Sequence, residues 1–265
     1  MTGTRWNPSR YGQYAGERAQ PFLDLTARIP TLSPRRVVDL GCGPGNMTRL
    51  LADRWPDAEV VGIDSSPDML EAAREQDDLP ANLRFEHESI ENWRPSPGDD
   101  VVVTNAALQW VPGHQRMLPA WFAALDPGAT FALQVPGNFA SPSHTLLKAA
   151  TEAPRWRDRL GQVFVRDADA VETGAGYLAL ALEAGLRAEA WDTTYLHVLP
   201  GENAVLDWSR GTRLRPVLSL LDDAEAAEFE AAYAAALRDA YPKGPHGTVY
   251  PFLRHFLVAT KPERP

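Results

Sequence analysis

The chain has 265 residues, 44% of them hydrophobic, enough for one large domain, or one domain with insertions, around a substantial core. Its formal charge of −9 argues against a nucleic-acid partner, which would require clustered basic side chains. No apolar run reaches membrane-spanning length, and the first 20 residues lack the apolar segment of a signal peptide. Cys42 is the only cysteine, so an internal disulfide is excluded and a cytoplasmic location without a membrane partner is expected.

Short apolar runs alternate with segments of helical periodicity through the first half of the chain. The runs rich in Val, Ile, Leu and Phe, which predict strands, are 36–40, 59–63, 83–87, 100–104 and 130–135. Helices are predicted at 46–54, 67–75 and 115–125, with Ser66 as a cap for Pro67. Such alternation predicts an α/β fold, a doubly wound Rossmann-like parallel sheet with right-handed crossovers.

The second half of the chain departs from simple alternation. Further helices are predicted at 173–184 and 223–241, and two more strands at 187–198 and 252–260, which gives a seven-stranded sheet. We expect a single domain over 1–265, with its core at about 31–138, 173–198 and 251–261. The remaining segments, at about 1–30, 140–172 and 199–250, are predicted to form helical cap insertions over the ligand face of the sheet.

A glycine-rich turn follows the first predicted strand, and an acidic residue ends the second. Gly41, Gly43 and Gly45 form a G-x-G-x-G run, and Asp64 lies about 20 residues on, where a carboxylate can accept both hydroxyls of a ribose. Asp39 precedes the turn and would repel a pyrophosphate. The pattern therefore predicts a site for an adenine nucleoside rather than for a dinucleotide.

The D-x-G-x-G-x-G run resembles the first motif of class I S-adenosylmethionine (SAM) methyltransferases. The resemblance implies SAM as cofactor and an antiparallel hairpin of the last two strands at the edge of the sheet. It places Asp39 near the ammonium group of SAM and Asp64 on the ribose. The residues it assigns to the cofactor are Asp39, Gly41, Cys42, Gly43, Gly45, Asp64, Ser65, Met69, Ser89, Ile90 and Asn105.

Several of these assignments have alternatives. Met69 is equally consistent with an ordinary core residue. Cys42 is interpreted as a small side chain that fits the turn, because no neighbouring base is evident. Ser89 stands where such enzymes often carry an acid for the adenine amino group, and its hydroxyl, the Ile90 amide or Glu88 are all candidates for that contact.

Runs along the whole chain are similar to the trans-aconitate methyltransferase family. They are 6–11, 14–18, 62–67, 105–110, 193–197, 207–208, 214–216 and 254–256. This resemblance implies that one carboxylate of a planar tricarboxylate is esterified with the methyl group of SAM. A carboxylate, with an unperturbed pKa of about 4, is already a nucleophile at pH 7, so no general base and no metal are expected.

A tricarboxylate substrate needs groups that hold its non-reacting carboxylates, and Arg does this with a bidentate fork. The predicted substrate-binding residues are Tyr11, Tyr14, Arg18, Gln109, Trp110, His197, Trp208 and Arg215, with Tyr195 as a further donor. Trp110 is equally consistent with a core aromatic, and a structural role is the favoured interpretation of His197. Arg213 and Arg254 are also candidates, although a surface position is favoured for both.

Three functions remain in competition. The first is a trans-aconitate-type carboxyl O-methyltransferase acting as a monomer on a small molecule. The second is a SAM methyltransferase for another carboxylate or hydroxyl acceptor. The third is a SAM-binding protein without turnover, against which the intact glycine loop and the intact Asn105 run both argue.

Overall fold

The structure is a computed structural model that describes residues 15–163 and 170–263, with only the backbone given for residues 15–18. Eight strands are present in these ranges: β1 Arg36–Leu40, β2 Glu59–Asp64, β3 Leu83–His87, β4 Asp99–Asn105, β5 Thr130–Pro136, β6 Arg187–Leu199, β7 Lys243–Gly244 and β8 Gly247–Thr260.

The strands form one sheet in the order β3-β2-β1-β4-β5-β8-β6, with β7 paired to β8. β1 to β5 run parallel to one another, and β8 runs antiparallel to β5. This confirms the predicted Rossmann-like α/β sheet with an antiparallel edge.

Two details of the sheet differ from the prediction. The two-residue β7 is too short to leave a periodic pattern in the sequence. β8 begins at Gly247 rather than at 252. Pro251 lies inside β8 and cannot donate to a strand ladder, so the sequence there does not resemble a strand.

Ten α-helices are present in the described residues: α1 Ala15–Ala27, α2 Asn46–Arg54, α3 Pro67–Arg74, α4 Leu118–Ala124, α5 Pro142–Glu152, α6 Arg157–Leu160, α7 Gly174–Glu183, α8 Ala204–Arg210, α9 Arg215–Leu218 and α10 Asp223–Ala240. The predicted cap of α3 is confirmed, since Ser66 Oγ accepts from the Met69 N–H at 3.4 Å. α4 begins at Leu118 rather than at 115, because His114–Arg116 forms a 3-10 turn after Gly113 in the left-handed region.

The central strands are buried on both faces, as their continuous apolar runs predict. Val37 and Val38 of β1 and Val101 and Val102 of β4 are fully shielded from solvent. Because parallel strands present their carboxyl ends at one edge of a sheet, the loops after β1, β2, β3 and β4 lie close together there.

The chain divides into two compact units. The sheet unit comprises residues 15–136, 171–193 and 254–263 of the described chain, and the insert unit comprises 137–163, 170 and 194–253. Helix α1, which we expected in the cap, contacts β5 in the sheet unit and buries Phe22 and Leu25.

No helix among the described residues is both long and apolar enough to cross a membrane. In the same part of the chain, no group of three or more His, Cys, Asp or Glu side chains is arranged to hold a metal ion.

Candidate functional site

The turn after β1 is held against β2 by its own backbone. The N–H groups of Gly41 and Cys42 both donate to the carbonyl oxygen of Ile63, at 2.8 and 3.0 Å. Gly41 has φ +78°, and a Cβ there would lie 2.3 Å from the Cβ of Ala107. A Cβ on Gly43, by contrast, would have no atom within 4 Å. The packing therefore requires Gly41 to be glycine, while the main chain at Gly43 faces open space that a ligand can approach.

Asp64 joins the end of β2 to this turn. Its Oδ2 accepts from the Gly43 N–H at 2.9 Å, and its Oδ1 accepts from the Ser66 N–H at 2.8 Å. A carboxylate has about four acceptor positions, so two are left for ligand hydroxyls. The side chain is half-buried, which keeps it accessible.

Asp39 is a buried carboxyl group on β1, with 2% of its surface exposed. Thr48 donates to its Oδ2 at 2.7 Å, and none of the described basic side chains forms an ion pair with it. Burial is the main cause that raises the pKa of Asp39 to about 7. The hydrogen bond from Thr48 lowers the pKa, whereas the nearby Asp64 carboxylate raises it. Asp39 is therefore a buried acid without a basic partner among the described side chains.

Cys42 is buried within the turn. Burial, and then the negative charges of Asp39 and Asp64, raise the pKa of its thiol. A thiol with a raised pKa is a poor nucleophile, which agrees with the structural role predicted for Cys42.

The loops after β2 and β3 carry the residues predicted to contact adenine. Met69 is buried in α3, and Ile90 lies beside Gly41, its Cδ1 3.5 Å from the position of a Cβ there. The Ser89 hydroxyl is hydrogen-bonded to the carboxylate of Glu91, and the Ser65 carbonyl oxygen lies 3.0 Å from His87 Nε2. Ser89 thus already has an acceptor for its proton within its own loop.

The loop after β4 is strained where the sequence run 105–110 begins. Ala106 has φ +52°, in the left-handed region that a residue with a Cβ rarely adopts, and its N–H donates to the Gln134 carbonyl oxygen at 2.9 Å. Gln109 donates its Nε2 to the Ala106 carbonyl oxygen at 2.6 Å. Backbone strain of this kind concentrates at functional sites. Trp110 is 40% exposed, so it is not the buried core aromatic of the alternative interpretation.

Three buried polar atoms at this edge have no hydrogen-bond partner among the described residues: Asn105 Oδ1, Gln109 Oε1 and Gln134 Nε2. Gln134 lies opposite Asn105 in the β4–β5 register and was not among the predicted residues. The sequence offered no motif for it, because its position depends on the pairing of two strands.

The two arginines for which a surface position was favoured are both buried, which corrects that prediction. Arg254 on β8 is 6% exposed and donates its Nη1 to Gln134 Oε1 at 3.4 Å, within the sheet unit. Arg213 is 9% exposed and lies in the insert unit between α8 and α9. Both positions were misjudged because burial of a long basic side chain depends on tertiary packing, which sequence spacing does not report.

Arg213 lies among tyrosine hydroxyls rather than carboxylates. Its Nη2 donates to the Tyr250 hydroxyl at 2.7 Å, and its Nη1 is shielded from solvent without a partner in the described chain. Burial acts to lower the pKa of Arg213, but the neighbouring Tyr250, Tyr233 and Tyr241 outweigh it and leave the pKa raised. The guanidinium therefore stays charged.

An aromatic cluster adjoins this arginine through Tyr250. His197 stacks on Trp208 with ring centroids 5.0 Å apart, and Trp208 lies 5.9 Å from the Tyr250 ring. The structure thus brings together two predicted substrate residues, His197 and Trp208, with Arg213. Tyr250 was missed by the prediction, although three of the seven tyrosines of the chain, including Tyr233 and Tyr241, lie within residues 233–250.

Three of the other predicted substrate residues lie wholly or partly outside the described part of the chain. Tyr11 and Tyr14 lie outside the described residues, as does the side chain of Arg18. Arg215 is half-buried at the start of α9.

Known proteins that resemble this chain agree with this architecture. Residues 37–128 match the model of a methyltransferase domain. The YcgJ protein of Bacillus subtilis superposes with a TM-score of 0.58 at 17% identity, covering 92% of this chain and all of that one. A phosphoethanolamine N-methyltransferase of Haemonchus contortus, solved with S-adenosylhomocysteine, gives 0.51 at 17% identity, over 92% of this chain and 53% of that one. At this identity the solved structures support the fold alone.

Curated relatives are much closer. The chain is 52% identical to the trans-aconitate 2-methyltransferase of Streptomyces coelicolor, over 99% of this chain and 88% of that one. Identity to the enzyme of the same name from Streptomyces avermitilis is 51%, over 97% of both chains, and to that of Rhodococcus jostii 47%, over 96% and 98%. The resemblance found in the sequence is confirmed, and the chain belongs to the trans-aconitate 2-methyltransferase family.

Proposed function

We propose that this chain transfers the methyl group of SAM to one carboxylate of trans-aconitate, giving a monomethyl ester and S-adenosylhomocysteine. The observation that carries the proposal is the 52% identity to a trans-aconitate 2-methyltransferase, which extends over 99% of the chain and so includes the insert unit. A match confined to the sheet would not carry it, because this fold serves many functions.

The residues of the sheet unit fit SAM in three respects. The main chain at Gly43 is open to a ligand. Asp64 has acceptor positions left for the two ribose hydroxyls. Asp39 is a buried acid without a basic partner among the described side chains, and the ammonium group of SAM would supply that cation. The assignments of Gly41, Cys42, Gly45, Ser65, Met69, Ser89, Ile90 and Asn105 to the cofactor are retained as part of this proposal.

The assignment of Ser89 competes with a hydrogen bond within its own loop. Its hydroxyl proton is already directed to Glu91, so a contact with the adenine amino group fits the Glu91 or Glu88 carboxylate, or the Ile90 main chain, better than the Ser89 hydroxyl. The amino group of adenine is a donor, and a carboxylate is the strongest acceptor that these side chains offer.

The reaction needs no proton transfer. Bound SAM supplies a methyl carbon attached to a positively charged sulfur. A carboxylate oxygen forms the new bond to that carbon, the carbon–sulfur bond breaks, and its electron pair neutralises the sulfur. The chain contributes by binding both reactants, aligning them and excluding water. Gln109 and Trp110, in the strained loop after β4, are proposed to contact the acceptor.

The remaining acceptor contacts are proposed for the groups that can hold anions or cover a planar molecule. They are Tyr11, Tyr14, Arg18, His197, Trp208 and Arg215. The predicted monomeric state and the cap role of the insertions belong to the same proposal.

The test is an assay of purified protein with SAM and a panel of acids. We expect S-adenosylhomocysteine and a methyl ester to form with trans-aconitate and not without an acceptor. Faster turnover of an apolar monocarboxylate or a hydroxyl compound would support the second function named above. Bound SAM without turnover of any acceptor would support a binding protein.

A further inference from the structure

We propose that Arg213 binds a non-reacting carboxylate of the acceptor, in a site completed by the hydroxyl of Tyr241. The identity of the acceptor rests on the proposed function, whereas the presence of an anion site rests on the insert unit itself.

The first argument is an uncompensated charge. Arg213 is 9% exposed, and no carboxylate among the described residues forms an ion pair with it. A buried guanidinium cannot lose its proton, so it remains a cation in a medium of low dielectric constant. Burying an unpaired charge is strongly unfavourable, and a bound anion would offset that penalty.

The second argument is an inventory of hydrogen-bond donors around Arg213. The Tyr250 hydroxyl accepts from Arg213 Nη2 and from Asn138 Nδ2, at 2.7 and 3.4 Å, so its own proton is directed to Ser143 Oγ at 3.1 Å. The Tyr233 hydroxyl donates to the Ser143 carbonyl oxygen at 2.5 Å. Neither of these hydroxyls has a proton left for a ligand.

Two donors near Arg213 have no acceptor among the described residues. Arg213 Nη1 has no acceptor among the described residues. The Tyr241 hydroxyl accepts from the Ser143 N–H at 3.1 Å, and no described group accepts its proton. The Tyr241 ring packs edge-on against that of Tyr250, with centroids 5.4 Å apart, which keeps it in the cluster. One charged and one neutral donor match the two oxygens of a carboxylate.

The third argument concerns selectivity. Arg213 Nη1 is shielded from solvent, so a carboxylate bound to it would lie in surroundings of low dielectric constant. The rings of Trp208 and Phe252 lie beside Tyr250 and exclude water from the site. A charged contact in such surroundings discriminates strongly between an acceptor that carries a carboxylate at this position and one that does not.

The experiment compares trans-aconitate with trans-glutaconate, which has the same carbon chain but only two carboxylates. We would measure kcat/KM for both acids with wild type, Arg213→Gln, Arg213→Lys and Tyr241→Phe. Arg238→Gln is the matched control, since Arg238 is exposed and donates to the Asn203 side chain, away from the tyrosines around Arg213. Calorimetry of both acids with protein loaded with S-adenosylhomocysteine gives a readout that does not need turnover.

We expect Arg213→Gln to lower kcat/KM for trans-aconitate about 30-fold or more, which corresponds to about 2 kcal/mol. If Arg213 binds the carboxylate that trans-glutaconate lacks, the preference for the tricarboxylate should fall by a similar factor. If it binds a carboxylate that both acids carry, the affinity for both should fall together, while Arg238→Gln keeps wild-type affinity for both. Arg213→Lys should keep part of the kcat/KM for trans-aconitate that Arg213→Gln loses. Tyr241→Phe should lose less than Arg213→Gln, and the SAM affinity should not change in any of these variants.

Wild-type kcat/KM and wild-type affinity for both acids in a folded Arg213→Gln would overturn the inference while leaving the proposed function intact. If wild type binds trans-aconitate without methylating it, and Arg213→Gln loses that binding, the anion site stands and the proposed function falls. If wild type binds neither acid, both fall. Should Arg213→Gln fail to fold, Tyr241→Phe and Arg213→Lys decide instead. Wild-type kcat/KM and wild-type affinity for trans-aconitate in both of these variants would overturn the inference.

Discussion

Asp39 in the sheet unit and Arg213 in the insert unit are both buried charged groups that form no ion pair with the described residues, and the two charges differ in kind. Asp39 in the sheet unit adapts to burial, because its pKa rises to about 7 and the carboxyl group can become neutral. Arg213 in the insert unit cannot adapt in this way, because its pKa is raised rather than lowered. The sheet unit therefore holds a charge that can be discharged, whereas the insert unit holds a permanent one.

The surroundings of the two charges also differ. Asp39 lies beside a turn whose geometry is set by main-chain hydrogen bonds to Ile63 and by close packing at Gly41. Arg213 lies among side chains from α5, α10 and β8, which meet only in the folded state. A site formed by main chain is sensitive to an added atom, while a site formed by side chains is sensitive to the loss of one.

The largest effect is expected from a substitution that adds a Cβ to the glycine turn. Gly41→Ala should lower the free energy of unfolding by about 2–5 kcal/mol, because the new Cβ meets Ala107 and the residue has φ +78°. Gly43→Ala is the matched variant: it has the positive φ but no steric clash, so we expect a loss of only about 1–2 kcal/mol. Chemical denaturation of both variants measures the difference. Equal losses would show that backbone strain alone, and not the close contact with Ala107, requires glycine at Gly41.

The next effect concerns Asp64, which ties the turn to β2. Asp64→Ala should weaken SAM binding by about 2–3 kcal/mol, because charge-assisted contacts to the ribose are lost. The variant should stay folded, since Asp64 is half-buried and at the edge of the sheet. Calorimetry on the purified variant measures the affinity, with Asp53→Ala at an exposed position of α2 as control. A folded Asp64→Ala with wild-type affinity would remove Asp64 from the site.

The difference between the two sites also explains what the sequence could predict. The turn and Asp64 occupy residues 39–64, and strand periodicity, glycine spacing and one acid are enough to recognise them. The cluster around Arg213 draws on Asn138, Ser143, Tyr241 and Tyr250, which span more than 100 residues and share no spacing. Arg213 and Arg215 are two residues apart, and the packing of the insert unit alone decides which of them is buried.

A pH-dependent effect tests whether the charge of Asp39 can be discharged. Its pKa is raised from 3.8 to about 7, so without ligand the native state binds more protons than the unfolded chain between those values. Stability of the protein without SAM therefore falls as pH rises through this window, by an amount on the order of 4 kcal/mol in total. The ammonium of SAM favours the charged carboxylate, so SAM affinity should rise up to tenfold per unit between about pH 5 and 7 and level off above.

Asp39→Asn is the control for this prediction, because it keeps the shape of the side chain and removes the titration. Its SAM affinity should be weaker than that of wild type at pH 8 and nearly independent of pH. Calorimetry in buffers of different ionisation enthalpy would also detect the proton released by wild type when SAM binds near pH 6. If wild type and Asp39→Asn show the same pH dependence, another group is responsible for it.

The smallest expected effect is a kcat that does not change with pH, and it separates binding from chemistry. With SAM and trans-aconitate both saturating, kcat should be nearly constant from pH 8 to pH 6. The acceptor carboxylate has an ordinary pKa of about 4, so it is ionised throughout this range without help from a base. The titration of Asp39 then appears in the KM for SAM and not in kcat, and the permanent charge of Arg213 leaves the KM for trans-aconitate unchanged. A kcat that falls tenfold per unit over this range would instead require an essential base. The buried His197, next to Trp208 in the insert unit, would be the first residue to replace by Gln in identifying it.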